Sequence, residues 1–345
     1  MDTKQRQDDS VSEGRKAKEP CKGLNEEEQL VWAYVQSFPL KNMWKLQGVP
    51  LREVVKSTWA GVDEDNLFGR ASQLSYSFFA AIFPALIAMS ALMGLIAKSS
   101  NHLYVALLTK LGRLIPPSAF DLVTETFRQT TSASSTGKVT FGSLFAIFSA
   151  SFGISALQDT LNSVYKVRET RPFWRARIEA IGLTLVVAAL ITLSLLVLFG
   201  GDWVVRHTGP ELHFGHPLKI LFRVVYWPLA MALIVLSFEV MYYFCPDVPP
   251  RSWSWFTPGG CIALVGWLAG SFGLQVYLHY FNSFSITYGS LGAVIILLLW
   301  FYLLGAMILL GGEVNSMIEY AVAKKRVASG KGRTPSAAAM ERVKL

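Results

Sequence analysis

The chain is poor in the residues that hold disulfide frameworks and transition metals. Its three cysteines, Cys21, Cys245 and Cys261, follow neither a metal-ligand spacing nor a disulfide pattern. Three of the five histidines lie within residues 207–216, but no third fixed ligand accompanies their His-x-x-His spacing. We therefore predict that the protein binds no metal ion and uses no cofactor.

The sequence also lacks a glycine-rich phosphate-binding loop and an ATP-binding domain, which argues against an ATP-driven pump. Neither a Ser–His–Asp order nor paired carboxylates indicate hydrolytic chemistry, so we predict that the protein is not an enzyme. The net charge of +8 is spread beside apolar runs instead of forming one basic face with stacking aromatics. We therefore expect no nucleic-acid binding. The first 66 residues lack the apolar core of a signal peptide.

The sequence also contains long apolar runs with almost no charged residues. A helix needs about 20 apolar residues to cross a hydrocarbon core of about 30 Å, and these runs are too long for the strands of a barrel. Five runs reach this length without a charge, and a sixth is interrupted only by Glu239. We predict an all-α integral membrane protein with six transmembrane helices, at about residues 71–97, 139–160, 178–200, 224–245, 256–279 and 290–314.

Lysine and arginine indicate how the helices are oriented, because short loops rich in these residues stay in the cytoplasm. Eleven precede the first predicted span and seven follow the last one. Five more lie between the second and third spans, namely Lys166, Arg168, Arg171, Arg175 and Arg177. We therefore expect both termini to face the cytoplasm.

Outside the spans, the composition divides the chain into further segments. Residues 24–69 carry Trp32, Trp44 and Trp59 among charges, which is typical of amphipathic helices at the membrane interface or of a small cap packed on the bundle. The predicted segments are a disordered cytoplasmic tail at 1–23, this amphipathic segment at 24–69, a six-helix membrane domain at 70–318, an amphipathic extracytoplasmic hairpin at 100–130, and a basic cytoplasmic tail at 319–345.

Polar groups inside the spans are functional candidates, because a polar group in hydrocarbon is costly. Most of them fall in the cytoplasmic half of their spans, so we hypothesise a polar cavity or gate that opens to the cytoplasm beside a basic layer. The candidate cavity or gate residues are Ser75, Tyr76, Pro84, Asp159, Asn162, Glu239, Glu313 and Asn315, and the candidate basic layer is Arg171, Arg175 and Arg177.

Structural interpretations of the same residues stay open. Glu239 could pair with an arginine, bind a cation or relay a proton. The polar residues at the helix ends could simply tie those ends to the basic loop. Pro84 removes one backbone hydrogen bond and allows a kink, and the small polar residues before it suit either a cavity or close helix packing.

Three stretches together resemble the YihY/BrkB family of bacterial inner-membrane proteins, and the resemblance extends from about Val49 to Tyr320. They are ASQLSYSFFAAIFPALIAM, ALQDTLNSVYKVRETRPFWRAR and SFSITYGSLGAVIILLLWFYLLGAMILLGGEVN, in this order. The resemblance implies a six-helix protein of the plasma membrane with both termini in the cytoplasm.

The resemblance and the polar residues together favour a transporter-like or lipid-handling role, with a link to envelope integrity or serum resistance. The expected partners are membrane lipids and a lipid or small-molecule substrate. The sequence is also compatible with an oligomer of the chain. The alternative is a structural scaffold without transport. Members of the family have also carried the label ribonuclease BN, but this sequence lacks the clustered His-x-His-x-Asp-His ligands of such tRNA-processing zinc enzymes.

Overall fold

The computed structural model describes residues 24–40, 43–82, 136–211, 216–248, 253–280, 290–330, 334–336, 339–340 and 343. The secondary structure of these residues is helical, and they form no strand. The helices are α1 (Glu26–Ser37), α2 (Leu51–Glu64), α3 (67–82), α4 (Thr136–Val164), α5 (Phe173–Glu211), α6 (His216–Phe244), α7 (Pro258–Tyr280) and α8 (Ser290–Ala328).

Four of these helices are long and apolar enough to cross a membrane. The apolar stretches are Phe173–Leu198 in α5, Val225–Phe244 in α6, Pro258–Tyr280 in α7 and Val294–Ala328 in α8. The prediction of an all-α membrane protein is therefore confirmed in this form, with four candidate spans where six were expected. The predicted hairpin at 100–130 and most of the second half of the first span lie outside the described residues.

The helices pack as neighbours in the chain, with α5 along α6 and α7 along α8. Leu74 of α3, Leu157 and Leu161 of α4, and Leu309 of α8 are completely buried where these elements meet. Helices in a membrane associate through close packing and small residues more than through the hydrophobic effect. Glycines on α7 and α8 provide that close approach here, as described below for the candidate site.

At one end of the bundle, α1 and α2 pack against the second half of α8, and we call this the capped end. The rings of Trp32 and Tyr320 lie 4.9 Å apart. Helix α1 begins with a capping box, in which Asn25 and Glu28 each accept a hydrogen bond from the backbone of the other. Of the two arrangements that the sequence left open for residues 24–69, α1 therefore adopts the packed cap.

One face of helix α2 is buried against α8, and the opposite face is exposed. Val54 is buried against α8, whereas Leu51, Val55 and Trp59 form an exposed apolar stripe at i, i+4 and i+8. Other tryptophans are exposed at the same end, and they are Trp44, Trp174 and Trp255. Exposed tryptophans are typical of the boundary between lipid and water. The capped end therefore exposes the kind of side chain that such a boundary favours.

Candidate functional site

A small cavity of about 30 Å³, lined by both polar and apolar side chains, lies at the capped end. This volume has room for one or two water molecules. Five parts of the chain line it, namely Leu40 and Met43 before α2, Tyr165 after α4, Glu239, Tyr242 and Tyr243 on α6, Ser254 and Thr257 before α7, and Asn315 and Glu319 on α8.

Glu239 lies at the cavity wall and binds the beginning of α7. Its Oε1 accepts hydrogen bonds from the backbone N–H and the hydroxyl of Thr257, both at 2.7 Å. Only 3% of Glu239 is exposed. The first N–H groups of a helix have no partner within the helix and carry partial positive charge, so a carboxylate there is stabilised. The partner of Glu239 among the described residues is therefore a helix N-terminus, not an arginine.

Asn315 completes this contact from α8. Its Oδ1 accepts a hydrogen bond from the N–H of Gly259 at 2.9 Å, and its Nδ2 donates to the Thr257 hydroxyl at 2.9 Å. The N–H of Gly260 also donates to that hydroxyl, at 3.1 Å. Thr257 thus links Glu239 of α6 to Asn315 of α8 through the first turn of α7. Sequence reasoning did not single out Thr257, because its role depends on where α7 begins.

Two glycines allow the helices to approach closely enough for these bonds. A β-carbon on Gly259 would clash with the carbonyl oxygen of Gly311, and one on Gly260 would clash with Oε1 of Glu239. One turn further into the bundle, the Tyr242 hydroxyl donates to the carbonyl oxygen of Ile308 at 2.7 Å. The geometry of the cavity therefore depends on backbone contact between α7 and α8.

Glu313 lies on the same helix as Asn315 but does not line the cavity. Its side chain is completely buried, and neither carboxylate oxygen has a hydrogen-bond partner among the described residues. Oε1 lies against Gly61 of α2, where a β-carbon would clash with it. The cap helix α2 therefore covers Glu313.

Near Glu313, Lys166 forms a buried ion pair with Asp65 at 2.5 Å. The two side chains are 8% and 7% exposed. Burial raises the pKa of the Asp65 carboxyl, although the charges of Lys166 and Arg70 act in the opposite direction. The second oxygen of Asp65 has no hydrogen-bond partner in the part of the chain that the structure describes. Asp65 was not predicted, because it follows Asp63 and Glu64 in a run that reads as solvated surface.

Arg171 is the centre of a polar network that holds the loop between α4 and α5. Its Nε and Nη2 donate to the two oxygens of Glu169, both at 2.7 Å, and its Nη1 donates to Glu179 at 2.7 Å. The hydrogen bonds that Arg171 donates to Glu169, together with the negative charge of Glu169, raise the pKa of Arg171 against the effect of burial. Nη2 also reaches the carbonyl oxygen of Cys245 at 2.9 Å, which ties the loop to the end of α6.

Asn162 belongs to this loop network and not to the cavity. Its Nδ2 donates to Glu169 at 2.8 Å, and its Oδ1 accepts from the N–H of Asp247 at 2.7 Å. Asp247 in turn accepts from the N–H of Thr170 at 2.7 Å. These bonds match the interpretation in which polar residues tie helix ends to the basic loop.

The other two candidate arginines differ in their surroundings. Arg177 lies over the rings of Phe148 and Phe152, at 4.5 and 3.8 Å from the ring centroids, and donates to Ser155 at 3.2 Å. The side chain of Arg175 is 63% exposed and pairs with Glu179 one turn away. Arg171 is thus the most strongly bound of the three candidate arginines.

The remaining candidates do not share one location. Ser75 is buried and donates to the carbonyl oxygen of Ser72 at 2.8 Å within α3, whereas Tyr76 is 70% exposed. Asp159 is exposed on α4. Pro84 lies outside the described residues. The structure therefore brings together Glu239 and Asn315, and adds Thr257 and Glu319 to them.

Within the part of the chain that the structure describes, no three His, Cys, Asp or Glu residues are grouped so as to hold a metal ion. The cavity residues instead provide hydroxyl, amide and carboxylate groups. Such groups suit hydrogen bonding to a polar ligand or to water.

Residues 58–335 match the sequence model of a family described as virulence factor BrkB. A protein named as the ribonuclease-like protein YfkH of Bacillus subtilis (strain 168) is 30% identical over 249 residues, covering 72% of this chain and 89% of that protein. A UPF0761 membrane protein of Cronobacter sakazakii and the UPF0761 membrane protein YihY of Salmonella arizonae are each 25% identical, over 282 and 275 residues, covering 77% of this chain and 88% of each relative. No solved structure matches the chain.

Proposed function

Since the chain belongs to the virulence factor BrkB family of membrane proteins, we propose that it is a non-enzymatic, transporter-like or lipid-handling protein of the bacterial inner membrane. Its substrate is a lipid or a small polar molecule, which enters through the polar cavity at the capped end. In this proposal the capped end and both termini face the cytoplasm, in agreement with the basic residues beside that end.

The observation that carries this proposal is the pair of buried carboxylates on one cavity. Glu239 and Glu319 are 3% and 2% exposed, and both line the cavity together with Thr257 and Asn315. Burying polar and charged groups in a membrane bundle is costly, so such groups mark substrate or ion pathways. A cavity of about 30 Å³ is too small for a lipid headgroup, so the proposed function requires the cavity to widen when a substrate enters.

The hydrogen bonds of the first turn of α7 provide a means of opening. Glu239 and Asn315 hold Thr257 and Gly259 at the cavity wall. A substrate with polar groups of its own could replace these bonds, which would release α7 from α6 and α8 without leaving the carboxylate unpaired. The proposed opening therefore replaces the hydrogen bonds between Glu239 and α7 with bonds between Glu239 and the substrate.

Native mass spectrometry of the protein, extracted gently from its own membrane, tests this proposal. The variants are Glu239→Gln, which keeps the size of the side chain and removes its charge, and Glu53→Gln, a matched change at an exposed position of α2. We expect a stoichiometric ligand on the wild type and on the Glu53→Gln protein, and its loss from folded Glu239→Gln protein. The same bound molecules on all three, or none on the wild type, would contradict a ligand site at Glu239.

A scaffold function is the second candidate, and the bonds of Asn162 and Arg171 favour it. These residues join the ends of α4 and α6 to the intervening loop and do not face the cavity. A pure scaffold predicts that Glu239→Gln lowers the melting temperature in detergent without changing any bound molecule. The same spectra and melting curves therefore separate the two functions.

A further inference from the structure

Glu313 is a buried carboxyl group of α8 that lies beneath the cap helix α2. Its exposure is 0%, and both of its oxygens lack a hydrogen bond within the described residues. An ionised carboxylate in this situation would lose its hydration and gain nothing in return, at a cost of several kcal/mol. The geometry thus favours the neutral, protonated form of Glu313.

The charged groups around Glu313 lead to the same result. From α2 and the residue that follows it come Glu64 and Asp65, which are both acidic, and from the loop after α4 comes Lys166. Lys166 is engaged by Asp65 in the buried ion pair at 2.5 Å. Glu64 and Asp65 already outnumber Lys166, and an ionised Glu313 would add a third negative charge to this cluster.

A metal cation does not fit in place of the proton. Oε1 of Glu313 lies directly against the backbone of Gly61, where even a β-carbon would clash. Met317 of α8 lies at 3.1 Å from the position of that β-carbon, which closes the same space with an apolar group. The contact between α2 and α8 therefore leaves no room for an ion at Oε1, whereas a proton needs none.

We propose that Glu313 is the proton-binding group of a conformational switch, in which α2 covers the protonated carboxyl and moves away from α8 when the proton is released to cytoplasmic water. The carboxylic acid gives its proton to water and becomes a carboxylate that needs hydration, and α2 must separate from it at Gly61 for water to enter. In the transport cycle, the switch would couple release of this proton to transport of the substrate. This role rests on the proposed function, whereas the switch itself does not.

Infrared spectroscopy of the purified full-length protein in lipid nanodiscs tests the protonation directly. At neutral pH we expect the carbonyl band of a protonated carboxyl group, sensitive to exchange into D₂O, that is lost in Glu313→Gln and kept in Glu53→Gln. A wild-type spectrum that differs from that of Glu313→Gln only by an ionised carboxylate would overturn the proposal.

Thiol labelling tests the movement of α2. In a background without the native cysteines, Thr58→Cys places a thiol on the buried face of α2 and Lys56→Cys places one on its exposed face. Because the thiolate is the reactive form, each rate rises about tenfold per pH unit below the thiol pKa, and the ratio of the two rates removes this effect. We expect the ratio of Thr58→Cys to Lys56→Cys labelling to rise with pH, and to stay constant when Glu313→Gln is added.

A constant ratio in both backgrounds would overturn the switch. Neither measurement uses a substrate, so its failure differs from a failure of the proposed function. If the wild type carries no Glu239-dependent ligand but gives the Glu313 signal, the cavity alone is contradicted. If it carries the ligand but gives no Glu313 signal, the proton site alone is contradicted.

Discussion

The carbonyl oxygen of Gly311 touches Gly259 so closely that a β-carbon on Gly259 would clash with it, and a β-carbon on Gly311 would clash with the carbonyl oxygen of Gly259 in return. The two backbones are thus in direct contact where α7 crosses α8. This contact lies one turn from Asn315 and sets the distance across which Asn315 reaches the first turn of α7.

Gly259→Ala is therefore expected to destabilise the protein although alanine favours helices. The methyl group must push α7 away from α8, and overpacking of this kind costs about 1–3 kcal/mol. We expect a lower melting temperature in detergent and a weaker hold of Asn315 on α7.

Gly273→Ala is the matched control on the same helix. A β-carbon there would meet nothing within 4 Å. Since alanine is better than glycine in a helix by about 1 kcal/mol, this variant should be as stable as the wild type or more so. Equal melting temperatures for the Gly259 and Gly273 variants would mean that the close crossing does not exist in the membrane.

The buried pair of Asp65 and Lys166 gives a second prediction. Lys166→Met leaves the Asp65 carboxylate without its counter-ion, and breaking one side of a buried ion pair costs about 3–5 kcal/mol. Replacing both, as Asp65→Leu with Lys166→Met, removes both buried charges and should recover most of that loss. A double-mutant cycle on detergent unfolding measures the difference, and simple additivity of the single variants would contradict a direct interaction.

The same pair predicts how stability depends on pH. Burial raises the pKa of Asp65 in the folded protein above its unfolded value of about 3.9. Between these two pKa values the folded protein binds more protons than the unfolded chain, so the contribution of Asp65 to the free energy of unfolding falls as the pH rises. This decrease should be larger in Lys166→Met and absent from the double variant. Thermal unfolding measured from pH 4 upward provides the comparison.

Much of the fold could be predicted from the sequence, because membrane helices depend on local composition. An apolar run such as that of α7 contains within itself both the length and the apolarity that a span requires. Burial of Glu239 could also be expected from its position inside such a run. These predictions need no knowledge of which helices are neighbours.

The partners of the polar residues could not be predicted, because they depend on contacts between distant segments. Thr257 caps a helix and binds Glu239 only because α6 and α7 meet at that level. Asp65 lies 101 residues from Lys166 and follows two other acids, so no local pattern identifies it. The glycines of α8 could be read as small residues, but not as the positions that α3 and α7 touch.

Arg171 provides the last prediction, since it binds Glu169 through two parallel hydrogen bonds and Glu179 through a third. Lysine carries the same charge but cannot reproduce this planar geometry, so Arg171→Lys should lose at least one charge-assisted bond, at about 1.5–3 kcal/mol. Arg175→Lys is the matched control four residues away, because its side chain is 63% exposed and exposed ion pairs contribute at most about 1 kcal/mol. We expect the melting temperature to fall for the first variant and to stay nearly unchanged for the second.

Since Arg171 also holds the carbonyl oxygen of Cys245, limited proteolysis should cut the loop between α4 and α5 faster in Arg171→Lys alone. Equal cleavage rates in both variants would show that Arg171 does not fasten this loop to α6.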